Sequence, residues 1–213
     1  MVQIAPSMLS ADFLYLEKDV EMVNKHADIF HLDIMDGVFV PNLSYGFPVV
    51  EAIARKATKP LDVHLMIIEP EKYVERFAQV GAEMISFHLN ATSNPTDVLR
   101  HIRALGAKAG LVINPDIPVE DLFPYIPLCD YILLMSVFAG FGGQKFIEET
   151  YQRIRTLKAE IERRGHDVKI EVDGGVSPAN ATALIEAGAE ILVAGSAVFK
   201  AESPAEVVAA MRG

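Results

Sequence analysis

Eight short runs of strand-forming residues alternate with segments of helical period along this chain of 213 residues, and no long polar linker interrupts the series. The strand-like runs fall at 3–9, 29–35, 60–66, 84–89, 108–113, 131–137, 168–173 and 191–194. Helical patterns occupy 12–25, 46–56, 71–80, 96–104, 119–123, 146–164, 178–186 and 205–212. Eight βα units in a row bury their apolar strands by closing the sheet on itself. This predicts an α/β chain folded as one (β/α)8 TIM barrel over residues 1–213, of the phosphate-binding type. The length is at the short end for that fold, so the loops must be brief. The pairs Gly81-Ala82, Gly106-Ala107 and Gly188-Ala189 fit, because each puts glycine just past a helix and just before a strand.

Composition narrows the function classes. A hydrophobic content of 51% supports a sizeable core. No apolar run reaches transmembrane length, and Met1 to Pro6 lacks the parts of a signal peptide, so a cytoplasmic protein with no membrane partner is expected. The lone Cys129 excludes an intrachain disulfide and a Cys-rich zinc site, and reads as a core residue. A net charge of −10 without a Lys/Arg cluster argues against nucleic acid. Any phosphate site must then be local, because the overall field does not steer an anion inward.

Side chains alternate faces along a strand, so His31, Asp33 and Met35 share one face while Phe30, Leu32 and Ile34 share the other. The run 60–66 repeats the arrangement with Asp62, His64 and Met66, and the run 168–173 ends on Asp173 followed by Gly174 and Gly175. Barrels of this kind work at the C-terminal ends of their strands. On this reading those ends carry Ser7, His31, Asp33, His64, Met66, His88, Asn114, Ser136, Asp173 and Gly195. His31, Asp33, His64 and Asp173 supply two imidazoles and two carboxylates, a set that suits one divalent ion such as Zn2+, Fe2+, Mn2+ or Co2+. One buried His–Asp pair alone reads as a structural hydrogen bond. Two pairs plus Asp173 at matched strand ends read as a site, since burying four polar groups without a ligand is costly.

The second and seventh strands lie on different sides of a closed barrel, so Asp33 and Asp173 approach a flat substrate from opposite faces. One carboxylate removing a proton and the other returning one inverts a stereocentre, and a metal on the adjacent carbonyl stabilises the enediolate between the steps. Met35, Met66 and Met135 near strand ends fit either core filler or a water-excluding hydrophobic wall over the reactive carbon. Three glycine-rich turns follow strands six, seven and eight: Gly140, Phe141, Gly142 and Gly143; Gly174 and Gly175; Gly195 and Ser196. Glycines let backbone N–H groups wrap an anion, which predicts a phosphate site of neutral donors. The stretch 140–144 reads also as a hinged lid.

The motifs together resemble the ribulose-phosphate 3-epimerase family over nearly the whole length. The carriers are the stretches 4–12 (IAPSMLSAD), 31–42 (HLDIMDGVFVPN), 61–66 (LDVHLM), Asn114-Pro115, 140–146 (GFGGQKF), 171–176 (EVDGGV) and 194–199 (AGSAVF). The resemblance implies interconversion of D-ribulose 5-phosphate and D-xylulose 5-phosphate in the pentose phosphate pathway. It implies one divalent metal ion per subunit on His31, Asp33, His64 and Asp173, with Asp33 as proton acceptor and Asp173 as proton donor. It implies substrate contacts from Ser7 and His64, phosphate contacts from Gly140 to Gly143, Gly174, Gly175, Gly195 and Ser196, and a homo-oligomer, dimer or hexamer. Two positions depart from the family pattern: Phe138-Ala139 stands where a residue and a proline are usual, and Asn90 where a glutamate is frequent. A sister epimerase of a hexulose 6-phosphate such as D-allulose 6-phosphate would use the same residues. A phosphate-barrel decarboxylase needs a lysine between its aspartates, which the stretch Asp33 to Asp36 lacks.

Overall fold

The computed structural model describes Met1–Gly213. Its strands are β1 (Gln3–Pro6), β2 (Phe30–Met35), β3 (Leu61–Met66), β4 (Met84–His88), β5 (Lys108–Ile113), β6 (Tyr131–Met135), β7 (Lys169–Asp173) and β8 (Ile191–Ala194). All neighbours pair in parallel in the order β1-β8-β7-β6-β5-β4-β3-β2. A parallel bridge between Ser7 and His31 joins the two ends, so the sheet forms a nearly closed (β/α)8 barrel. Helices α1 (Leu16–His26), α2 (Phe47–Ala54), α3 (Val74–Val80), α4 (Pro95–Ala104), α5 (Thr150–Arg164), α6 (Pro178–Ala187), α7 (Ser196–Phe199) and α8 (Pro204–Ala210) surround it. No helix is long and apolar enough to cross a membrane.

The alternation within each strand sorts side chains into two cores. Phe30, Leu32 and Ile34 of β2, with Leu61, Val63 and Leu65 of β3, face the helices and join the large outer core. The inward faces stack in layers. Ala5, Ile29, Met84, Tyr131, Ile191 and Val193 pack together toward one end of the barrel. Toward the C-terminal mouth Met35 and Met66 pack with Val40, and Met135 packs with Val137 and Leu133. Between these apolar layers lies a band of buried polar groups.

Several boundaries differ from those expected. The first strand stops at Pro6, because Met8–Ser10 turns as a short 3-10 helix. The helix expected at 119–123 is a 3-10 segment over Val119–Leu128. Pro124 and Pro127 lie inside it and have no N–H to sustain an α-helical ladder. The helix expected from 146 begins only at Thr150, and the one expected from 12 begins at Leu16. Helix α7 was not expected at all: four residues are too few to show a period.

Candidate active site

Strands β2, β3 and β7 bring His31, Asp33, His64 and Asp173 to one point inside the mouth, with one ligand atom from each lying within 4.8 Å of all the others. Asp33 Oδ1 stands 3.4 Å from His31 Nε2 and 3.3 Å from His64 Nδ1, and Asp173 Oδ2 stands 3.9 Å from both nitrogens. These gaps are too long for good hydrogen bonds. They are close to the roughly 3.3–3.6 Å that separates neighbouring ligands around one tetrahedral ion with bonds of about 2.0–2.2 Å. His31 Nε2 and His64 Nδ1 are buried and have no hydrogen-bond partner in the protein, and both face this point. The four residues therefore fit a divalent ion.

The charge balance agrees. Burial alone would strip the proton from His31, but the charges of Asp33 and Asp62 outweigh it and raise the imidazole well above its ordinary range. A field that attracts a proton so strongly also attracts a metal cation. Burial pushes the Asp33 carboxyl upward, yet the charge of His31 beside it prevails and holds it far below the usual range. Asp173 is pushed up to about 6, first by burial and then by the Asp33 charge. Two carboxylates in one site are thus driven apart.

Two further contacts set the geometry around these residues. Ser7 Oγ donates to Asp33 Oδ2 at 2.5 Å, leaving Oδ1 for the cluster. Ser136 ties β6 to the end of β7: its N–H and its Oγ both donate to the Asp173 carbonyl, at 2.8 and 2.9 Å. Below the cluster, His31 Nδ1 lies 2.6 Å from Asp62 Oδ2, and Tyr131 Oη donates to Asp62 Oδ1 at 2.8 Å. Glu171 is fully buried near the same His31 nitrogen, at 3.4 Å, and burial and the Asp62 charge push its carboxyl well above the usual range. His64 Nε2 meets His88 Nε2 at 2.9 Å, and burial first, then the neighbouring His64, pushes the His88 imidazole well below its ordinary range.

Above the cluster a cavity opens to the surface. Ser7, Asp33, Asp173, Met35, Met66 and Met135 line it, together with all the glycines expected to hold phosphate, Phe141 and Ser196. The methionines thus belong to the cavity wall as well as to the packed interior. The N–H groups of Gly142, Gly143, Gly175 and Gly195 donate to no backbone carbonyl. Gly174, at φ +120°, lies so close to β6 that a Cβ there would sit 2.5 Å from Val137 Cγ2. His31 and His64 do not line the cavity; they are fully buried beneath its floor.

The sequence assigns no specific contact to several residues of this neighbourhood. Ser10, Val137 and Gln144 line the same cavity. Gln144 Nε2 donates to the carbonyls of Phe138 and Phe141, pinning the loop to itself. Asn42 Nδ2 donates to the Gly140 carbonyl at 2.7 Å, and Asn114 Oδ1 accepts from the Ala139 N–H at 3.1 Å. Of the two unusual positions, Phe138 lines the cavity, whereas Asn90 is exposed away from it.

The chain is similar to known proteins over nearly its whole length. The model of the ribulose-phosphate 3 epimerase family matches residues 3–199. The ribulose-phosphate 3-epimerase of Synechocystis sp. is 50% identical over 214 residues, spanning 99% of this chain and 93% of its own. That of Bacillus subtilis is 44% identical over 215 residues, spanning 100% and 99%. Among solved structures, a mutant tryptophan synthase α-subunit from Pyrococcus furiosus superposes with a TM-score of 0.74 at 18% identity and covers 100% of both chains, a likeness of fold alone. With a family match over most of its length and relatives at this identity, the chain belongs to the ribulose-phosphate 3-epimerase family.

Proposed function

We propose that this chain is a metal-dependent isomerase that interconverts D-ribulose 5-phosphate and D-xylulose 5-phosphate, with residues 1–213 acting as one barrel domain. The observation that carries the reading is the meeting of Asp33 from β2 and Asp173 from β7 at one point, with two histidines beside them. His31, Asp33, His64 and Asp173 would hold one divalent ion per subunit, Zn2+, Fe2+, Mn2+ or Co2+. Such an ion supplies Lewis-acid polarisation of the ketone oxygen at C2, which acidifies the hydrogen at C3.

Asp33, held ionised, takes the C3 proton from one face of ribulose 5-phosphate. Asp173, whose carboxyl is pushed up to about 6, gives a proton to the other face, and the two exchange roles in reverse. Ser7 holds Asp33 by its Oδ2 and reaches the substrate from the cavity wall. Met35, Met66 and Met135 shut water away from the reacting carbon. The free N–H groups of the Gly140–Gly143, Gly174–Gly175 and Gly195–Ser196 turns take the phosphate, which explains how an acidic protein binds an anion without a lysine.

The test is to incubate the metal-loaded protein with D-ribulose 5-phosphate in D2O and follow the sugar by NMR. Xylulose 5-phosphate carrying deuterium at C3 is the expected product. Exchange with a hexulose 6-phosphate alone would move the substrate to the six-carbon series, and no exchange with either would end the epimerase reading.

A further inference from the structure

We infer that Asp62 and Tyr131 are positioning residues that hold His31 in the one tautomer presenting a lone pair to the four-residue cluster. The inference rests on the cation reading of that cluster. It starts from a difference between the two nitrogens of His31. Nε2 faces Asp33 and Asp173 across 3.4 and 3.9 Å with no hydrogen-bond partner, whereas Nδ1 lies 2.6 Å from Asp62 Oδ2. A gap of 2.6 Å is a hydrogen bond and leaves no room for an ion between the two atoms, since ligands of one ion stand roughly 3.3 Å apart or more. Although His31, Asp62 and Glu171 also gather three possible ligands, that lower group is thus a support for the upper one rather than a second metal site.

A carboxylate accepts and does not donate, so the proton of this bond belongs to Nδ1, and Nε2 is the nitrogen left to offer a lone pair to a cation. Asp62 is itself fixed from two strands. It stands on β3, its Oδ2 receives His31 from β2, and its Oδ1 receives the Tyr131 hydroxyl from β6 at 2.8 Å. Tyr131 reaches it because β5 gives up a side chain: a Cβ on Gly110 would sit 2.4 Å from Tyr131 Cζ. Four strands therefore cooperate on one imidazole. All three side chains are essentially inaccessible, and neither Asp62 nor Tyr131 lines the substrate cavity, so their effect on the reaction passes through His31. His64 has no such support; its far nitrogen meets the ring of His88 and not a carboxylate. A ligand backed by a carboxylate is the more basic and the better oriented of the two.

The experiment strips the full-length protein with a chelator and titrates it with Co2+, reading affinity and the visible d–d spectrum, with thermal melting as a separate control for folding. The wild type is expected to bind one Co2+ per chain. Asp62→Ala should weaken binding by about 10- to 100-fold and change the spectrum. Tyr131→Phe removes one hydrogen bond to the Asp62 carboxylate while keeping the ring and the carboxylate itself, and should weaken Co2+ binding by less than Asp62→Ala does. A merely structural role would lower the melting temperature and leave Co2+ affinity and spectrum alone in the folded variants; that result overturns the inference while leaving the cation reading intact. If Asp62→Ala does not fold, Asp62→Asn, which keeps the shape and loses the charge, carries the same test with Tyr131→Phe. A wild type that binds no Co2+ would overturn the cation reading and this inference with it.

Discussion

The two halves of the cavity are built on opposite plans. The half that gathers His31, Asp33, His64 and Asp173 is made of side chains on strands, buried and braced from below by Asp62, Tyr131 and His88. The half that gathers the glycine turns is made of loop backbone at the rim, partly exposed and pinned by a few side-chain hydrogen bonds from Asn42, Asn114 and Gln144. Proton transfer needs groups held within a fraction of an ångström, which strands provide. Anion binding needs several weak donors that let the ligand in and out, which loops provide. The strand half should therefore fail abruptly under conservative substitution, and the loop half gradually.

The largest expected effect falls on the two aspartates. On the proposed two-carboxylate mechanism, Asp33→Asn or Asp173→Asn should cut kcat by about 10^2- to 10^4-fold, because each would remove a proton carrier and a metal ligand. The two variants should fail differently. With Asp173→Asn, residual deuterium from D2O should enter C3 of ribulose 5-phosphate more readily than of xylulose 5-phosphate; with Asp33→Asn the preference should reverse. NMR of each sugar incubated separately reads this, and near-native turnover of Asp173→Asn would end the two-carboxylate assignment.

The next two predictions probe the loop half. At φ +120° and with Val137 in the way, Gly174→Ala should destabilise the fold by about 1–3 kcal/mol in denaturant unfolding. It should also raise KM by moving the donors off the phosphate. Gly143→Asp should destabilise less than Gly174→Ala: its φ of +74° strains any side chain, but a Cβ there has nothing nearer than Ser196 Oγ at 4.0 Å and aspartate tolerates the left-handed region better than most residues. Its charge would stand opposite the turn after β8, beside the bound phosphate, and raise KM roughly 10- to 100-fold with a much smaller change in kcat. A kcat loss comparable to that of the aspartate variants would contradict the division between the halves.

The same division decides what could be read from the chain before folding. The residues of the strand half stand out because a histidine or aspartate at every second position interrupts an otherwise apolar strand, as at His31, Asp33 and His64. Depth is what alternation does not encode. Asp62 and His64 both point inward, and only the stagger between strands puts His64 in the cluster and Asp62 under His31. Tyr131 read as the start of an apolar run, and its bond to Asp62 joins residues 69 apart in sequence through a gap opened by Gly110. In the loop half the glycines were visible as turns, but the residues that pin the loop, Asn42 and Gln144, are ordinary polar residues whose partners exist only after closure.

The smallest effect belongs to the departure at Phe138-Ala139. A proline at 139 would have no N–H, whereas Ala139 uses its N–H to bond Asn114 Oδ1 at the end of β5. The chain thus replaces the rigidity of proline with a tether across two strands. Removing it by Asn114→Ala loses one neutral hydrogen bond, worth about 0.5–1.5 kcal/mol. Because the loop is still held by Asn42 at Gly140 and by Gln144 at Phe138 and Phe141, the loss falls on loop order and not on the carboxylates. KM should rise by no more than about tenfold, with kcat close to wild type and deuterium exchange at C3 still tied to epimerisation. A variant that instead exchanged deuterium without converting the sugar would mean that this tether aligns Asp173, and the rigid part of the site would have to be extended past the end of β6 to Ala139.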